Sequence, residues 1–319
     1  MSNSLHSHAT RIAVVGAGFV GSSFAYSLMI RGTVSEIVLI DVDKSRAEGE
    51  AMDLNHGVSF VQPARIRAGD FADCEGADIV VVSAGLAQKP GQSRLDLVKA
   101  NVEIFRQMIP KVKEYNDECI LLIATNPVDI MTYAALKFSD FQPNRVIGSG
   151  TILDTSRLRY LLGEHLRVDP RNVHAYIIGE HGDSEVPAWS LASVGGVKLE
   201  EYCAASSQTP DELRLKDIFE QVKNAAYKII ELKGRTYYAI GLGLTRIVES
   251  IIRDENAILT VSSLLRDYHG VNDICLSVPT IVNRSGVREV LKLALTDGET
   301  KEFQDSASAL KKVAQSVNL

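Results

Sequence analysis

Apolar residues fall first into short continuous blocks and later into long helical stripes. "RIAVVGAG" (residues 11–18) is an apolar run ending in glycines, which predicts a buried strand. A helical pattern over residues 20–30 leads to a second block, "EIVLIDV" (36–42). "ADIVVVSAG" (77–85), "CILLIATNP" (119–127) and "RVIGSGT" (145–151) repeat the theme with helix-like stretches between them. This alternation predicts a doubly wound α/β domain, a parallel sheet covered by helices on both faces.

After about residue 150 the rhythm changes. Residues 151–166 have helical periodicity, and "NVHAYIIGEHGDSE" (172–185) reads as a strand running into a polar loop. Long helical patterns cover 211–232 and 236–253. Two strands, 257–265 and 274–282, are expected to pair antiparallel, and an amphipathic helix over 299–317 closes the chain. The expected plan is an N-terminal parallel α/β domain over 1–149, with a polar arm at 1–10, and an α+β domain over 150–319. No repeat, low-complexity tract or long linker separates them, so the two halves should share an interface.

The bulk numbers fit that picture and exclude some partners. The 319 residues are 45% hydrophobic and 23% charged, with a net charge of −6, ordinary globular usage. A negative chain is a poor electrostatic match for nucleic acid or an acidic membrane surface. No apolar run approaches the ~20 residues of a membrane span, and "MSNSLHSHAT" lacks the basic and apolar regions of a secretory signal. His6 and His8 in that arm are expected to be solvated. Cys74, Cys119, Cys203 and Cys275 show neither CxxC nor metal spacing, so no metal is expected. They read as free thiols of a cytoplasmic protein.

"GAGFVG" carries the first chemistry. Gly16 suits the tight turn after a strand, Gly18 a close backbone approach to a pyrophosphate, and Gly21 close packing of helix on sheet. Asp41 ends the next strand, ~20 residues past the last glycine, where an acid holds ribose hydroxyls. An acid there repels a 2′-phosphate and favours NAD over NADP, although nearby Arg46 complicates that preference. Gly85 closes another strand in the crevice where this fold binds nucleotides.

The second centre is "GEHGDSE". His181 lies in a loop between Gly179 and Gly182, and imidazole suits proton exchange near neutral pH. "LDTSR" adds Asp154 and Arg157, spaced i and i+3 on one helix face. They would make at least a surface ion pair. The sharper expectation is that Asp154 orients His181 and Arg157 holds a substrate carboxylate with its planar fork.

The combination "GAGFVG", "LIDV", "QKPGQSRLDLVKAN", "TNPVD", "LDTSRLR", "GEHGDSE" and "GRTYYAIG" resembles the bacterial-type L-lactate dehydrogenases of the lactate/malate dehydrogenase family, in order and over almost the whole chain. The resemblance implies His181 as proton donor and acceptor with Asp154 as its partner, and Arg157 as the carboxylate anchor. It implies that Arg94, on a mobile loop, polarises the substrate carbonyl. Asn126 would bond both substrate and cofactor region, Thr236 would stand beside the substrate, and Val20 and Ser149 would join the NAD contacts. Pyruvate and L-lactate are the implied substrates, and a cytoplasmic homotetramer the implied form. Lack of chemistry on the same scaffold, as in a sensor, would be signalled by loss of His181, Asp154 or Arg157; all three are present with Arg94.

Gln88 is expected to read the far end of the substrate. Malate-type relatives resemble this chain with arginine there, whereas a neutral glutamine leaves a second carboxylate unpaired on burial. Pyruvate has only a methyl group at that end. Lys89 could supply charge to a dicarboxylate, which keeps malate dehydrogenase as the runner-up, and Gln88 alone leaves room for bulkier 2-keto acids. Arg159 lies ~200° around the helix from Arg157 and faces away from the substrate. With His174 it resembles the fructose 1,6-bisphosphate effector site of bacterial members, shared across a two-fold axis; a salt-bridged arginine and a core or interface histidine are the alternative.

Overall fold

The computed structural model describes residues 10–86, 94–205 and 212–319. The first half contains β1 (Arg11–Val15), α1 (Phe19–Arg31), β2 (Glu36–Ile40), α2 (Lys44–Gly57), β3 (Arg65–Gly69), β4 (Ile79–Val82), α3 (Arg94–Tyr115), β5 (Ile120–Ile123), α4 (Val128–Ser139) and β6 (Val146–Gly148). These strands pair in parallel in the order β3-β2-β1-β4-β5-β6. Strands β1, β2, β4 and β5 are apolar because helices cover both faces: Ile12, Val14, Leu39, Val81 and Leu122 are wholly buried. The order reverses between β1 and β4, so the crevice beyond their C-terminal ends is the natural ligand site.

The second half contains α5 (Ile152–Leu166), β7 (Val173–His174), β8 (Ile177–Ile178), β9 (Val186–Pro187), β10 (Ser193–Val194), β11 (Val197–Lys198), α6 (Leu199–Ala205), α7 (Glu212–Lys233), α8 (Tyr238–Ile252), β12 (Ala257–Leu265), β13 (Ile274–Asn283), β14 (Gly286–Val290) and α9 (Asp297–Ser316). β12 and β13 pair antiparallel with Val261 opposite Val278, as expected. β12 also pairs antiparallel with β6, Ser262 opposite Gly148, which makes one nine-stranded sheet across both halves. One buried cluster joins Ala13 and Val80 of the parallel sheet to Leu276, Phe303 and Leu310.

Several boundaries differ from expectation for local reasons. The first strand stops at Val15 because Gly16 turns the chain at φ +108°. β4 and β5 likewise end before their SAG and TNP segments, which form loops, while β2 stops before Asp41 and β6 at Gly148. The single strand expected within 172–185 is two short ones, β7 and β8, in different sheets. α8 begins at Tyr238, leaving Thr236 in the connection before it. β3 and β14 escape the apolar pattern. In β3, Arg67 pairs with Glu36 at 2.8 Å, so charge rather than apolar burial occupies that edge. Among the described residues, no helix is long and apolar enough to cross a membrane.

Phe303 on α9 is fully buried and meets Tyr268 edge-on at 5.5 Å. Phe303→Ala should therefore cost about 3–5 kcal/mol, read as a lower urea midpoint. A parental midpoint would show that α9 is not part of the shared core.

Candidate active site

The glycine loop is built for two different tasks. Gly16 donates its N–H to Ile40 O at 2.7 Å, and a Cβ on it would lie 2.5 Å from Ala84 N. A Cβ on Gly21 would meet Gly16 O at 1.9 Å, so helix α1 packs on the loop only with glycine there. Gly18 is different: a Cβ there meets nothing within 4 Å. The protein's own packing leaves that space open, as a pyrophosphate at the N-terminus of α1 requires. Gly18 caps α1 without a side-chain hydrogen bond, and the first turn carries no acid, so its N–H groups suit an anion. Half-buried Val20 follows in that turn.

Asp41 is held at the end of β2 by two backbone donors, Ala17 N–H at 2.7 Å and Asp43 N–H at 3.0 Å. Arg46 is exposed in the first turn of α2, and among the described residues it forms no ion pair with Asp41. Across the crevice, buried Asn101 of α3 ties two loops together. Its Oδ1 accepts from Leu86 N–H at 2.8 Å, and its Nδ2 donates to Asn126 O at 3.0 Å. A Cβ on Gly85 would meet Thr125 Cγ2 at 2.5 Å. Ser149 is buried after β6, its N–H on Ile123 O at 2.8 Å, while Asn126 is exposed. Glycine loop, Asp41, Gly85, Asn126 and Ser149 thus lie along one edge of the sheet, at the C-terminal ends of its parallel strands.

The proton site is fixed by a chain of short contacts. Thr151 Oγ donates to Ile177 O at 2.5 Å, and Ile177 N–H donates to Thr155 Oγ at 3.0 Å, so α5 is pinned to β8. Gly179 continues β8 onto β13 through paired bonds with Ser277 of 2.8 and 3.0 Å. The His181 N–H then donates to Asp129 Oδ2 of α4 at 2.7 Å. These anchors bring His181 Nδ1 to 2.5 Å from Asp154 Oδ2, while Arg157 donates to Asp154 Oδ1 at 2.7 Å.

Burial alone would raise the Asp154 carboxyl; the charges and hydrogen bonds of His181 and Arg157 reverse that and hold it below its ordinary range. Burial opposes a charge on His181, but Asp154 overcomes it and lifts the imidazolium to about 9. Burial also pushes the Asp129 carboxyl up to about 6. An imidazole held this way can pass a proton, and an adjacent guanidinium can hold a carboxylate.

Three expected residues therefore meet: His181, Asp154 and Arg157. Thr236 is half-buried before α8, beside Tyr237, which stacks on Phe19 of α1 at 5.3 Å; among the described residues no hydrogen bond joins Thr236 to His181. Arg94 opens α3, but its side chain lies outside the described residues, as do Gln88 and Lys89. Arg159 donates to Ala175 O at 3.1 Å and lies over the Tyr176 ring at 5.3 Å, away from Asp154. Burial lowers its pKa, and among the described residues it has no ion-pair partner. His174 is exposed on β7. Asn101 and Asp129 close the segments "QKPGQSRLDLVKAN" and "TNPVD", but nothing in their spacing gave either residue a role.

A histidine able to pass a proton and an arginine able to hold an anion, opening from the same sheet as a dinucleotide-type loop, fit a nicotinamide-dependent dehydrogenase of small carboxylates. The family models agree: residues 10–148 match the NAD-binding domain of lactate/malate dehydrogenases and residues 151–318 match their α/β C-terminal domain. The chain belongs to the lactate/malate dehydrogenase family. It is 54% identical over 309 residues to an L-lactate dehydrogenase of Acetivibrio thermocellus, covering 97% of this chain and 98% of that one. It is 53% identical to L-lactate dehydrogenase 1 of Clostridium acetobutylicum over 97% and 98% of the two chains. Among solved structures, the minor L-lactate dehydrogenase of Enterococcus mundtii superposes with a TM-score of 0.94 at 45% identity, over 97% of this chain and 99% of that one. A lactate dehydrogenase from a Medee basin deep-sea metagenome superposes at 0.95 and 43%, over 98% and 100%.

The two glycines separate ligand from fold. Gly18→Ala should keep stability within about 0.5 kcal/mol yet weaken NADH binding at least about tenfold. Gly21→Ala should lose stability itself. Equal NADH affinity in Gly18→Ala would contradict this use of the open space.

Proposed function

We propose that this protein is an L-lactate dehydrogenase that reduces pyruvate to L-lactate and runs the reverse reaction. The observation that carries this reading is Asp154 shared between His181 and Arg157. Bound NADH supplies the hydride, and Gly16, Gly18, Val20, Gly21, Asp41, Arg46, Gly85, Asn126 and Ser149 form its cradle. Arg157 binds the substrate carboxylate through the part of its fork that Asp154 leaves free. With Nδ1 on Asp154, His181 gives its Nε2 proton to the C2 oxygen as that oxygen becomes a hydroxyl. Arg94 stabilises the charge growing there, and Asn126 and Thr236 line the substrate. Neutral Gln88 selects a methyl group over a second carboxylate. The four cysteines are buried and, among the described residues, form no disulfide, in keeping with a cytoplasmic enzyme.

Arg159 and His174 form the second part of the proposal, a cationic site for fructose 1,6-bisphosphate shared between subunits of a homotetramer. A half-buried guanidinium with no carboxylate partner among the described residues, bonded to the residue after an exposed histidine, supports it. Arg159→Gln should abolish bisphosphate activation while pyruvate reduction without effector persists; unchanged activation would contradict the assignment.

NADH oxidation by the purified protein should favour pyruvate strongly over oxaloacetate. Gln88→Arg should shift that ratio toward oxaloacetate by at least about tenfold. An oxaloacetate preference in the parent would instead assign a second cation to the pocket. The pH dependence has a definite sign. His181 is raised above its ordinary value, so the proton-donating form is present at lower pH and lost as pH rises through about 9. kcat/KM for pyruvate should then fall about tenfold per unit, and Asp154→Asn should cost about 10²–10⁴-fold.

A further inference from the structure

Glu185 stands four residues past His181, just before β9, and is only 7% exposed. Its Oε1 is buried and, among the described residues, has no hydrogen-bond partner. One side-chain atom each of Asp154, His181 and Glu185 lies within 4.8 Å of the others. Both Asp154 oxygens are already taken, one by His181 and one by Arg157. Two carboxyl groups therefore share one imidazole, but only Asp154 is tied to it. Close carboxyls do not ionise together readily.

We propose that Glu185 is a positioning residue for proton transfer, a neutral acid while His181 carries its proton securely and an anion that retains that proton as pH rises. The inference rests on His181 being the proton donor. The groups facing Glu185 are Asp154 and Arg157 on α5, His181 in its own loop and Lys223 on α7, while Asp129 of α4 faces His181. Burial and the negative Asp154 favour the neutral acid; His181, Arg157 and Lys223 favour the anion. Burial and Asp154 outweigh those cations and raise the Glu185 carboxyl well above its ordinary range. Once ionised, a carboxylate at this distance opposes proton loss from His181. Glutamine keeps the shape and removes this charge.

The test follows the His181 ring by NMR and the basic limb of kcat/KM for pyruvate, in the parent, Glu185→Gln and Glu185→Asp. Glu185→Gln should lower the His181 midpoint by about one pH unit or more, and the basic limb should move with it, whatever the height of the plateau. Glu185→Asp should keep both near parental values. A parental midpoint in Glu185→Gln overturns the proposal, and so does an equal shift in both variants, which would mean shape rather than charge. A midpoint that moves while the limb stays would show that Glu185 holds the His181 proton but would overturn both His181 as the donor and Glu185 as a residue of proton transfer. In the parent, the infrared band of a protonated carboxyl should persist above about pH 7; its absence overturns the proposal even if Glu185→Gln fails to fold.

Discussion

One buried carboxylate, Asp154, organises the chemical half of this protein. An ionised carboxylate out of water costs several kcal/mol unless it is paired and hydrogen-bonded. Here both oxygens are engaged, by the imidazole of His181 and the guanidinium of Arg157. The groups that make Asp154 tolerable are the same ones that the proposed reaction uses to carry a proton and hold an anion. Loss of either partner would leave the charge exposed to its own desolvation, so stability and chemistry are coupled at this point. The surrounding bonds exist to hold that geometry. Thr151 and Thr155 pin α5 to β8, Ser277 pins β8 to the large sheet, and Asp129 fixes the His181 backbone.

The continuous sheet explains how the two centres keep register. β12 extends the parallel strands through β6, and one apolar cluster runs from Ala13 to Leu310. The cofactor loop and the proton site are therefore mounted on one shared core. Within the loop the glycines divide their duties. Gly16 and Gly21 are required by the protein's own backbone, whereas Gly18 keeps room for something the protein does not supply.

Much of this was legible in the sequence because its physical cause is local. Strands buried on both faces are continuous apolar blocks, and a dinucleotide loop needs glycines at fixed offsets. Asp154 and Arg157 are one helical turn apart, so their shared face followed from spacing alone. The remainder depends on distant contacts. Asn101 meets Leu86 and Asn126, 15 and 25 residues away, and although it closes "QKPGQSRLDLVKAN", nothing local points to those contacts. Asp129 reaches His181 across 52 residues. β3 hides behind arginines that pair with Glu36, and the junction of β6 with β12 rests on a single residue pair. Glu185 is unremarkable in "GEHGDSE" until its burial and its nearness to Asp154 are known.

The most direct measurement is the proton count when oxamate, a non-reducible isostere of pyruvate, binds the NADH complex. Calorimetry in two buffers of different ionisation enthalpy, about one pH unit above the His181 midpoint, gives that count. If Asp154 holds His181 as the donor and Arg157 as the anchor, close to one proton should be taken up per oxamate, and Asp154→Asn should bind far more weakly. Tight binding with no proton uptake would contradict the coupling of His181 to the substrate.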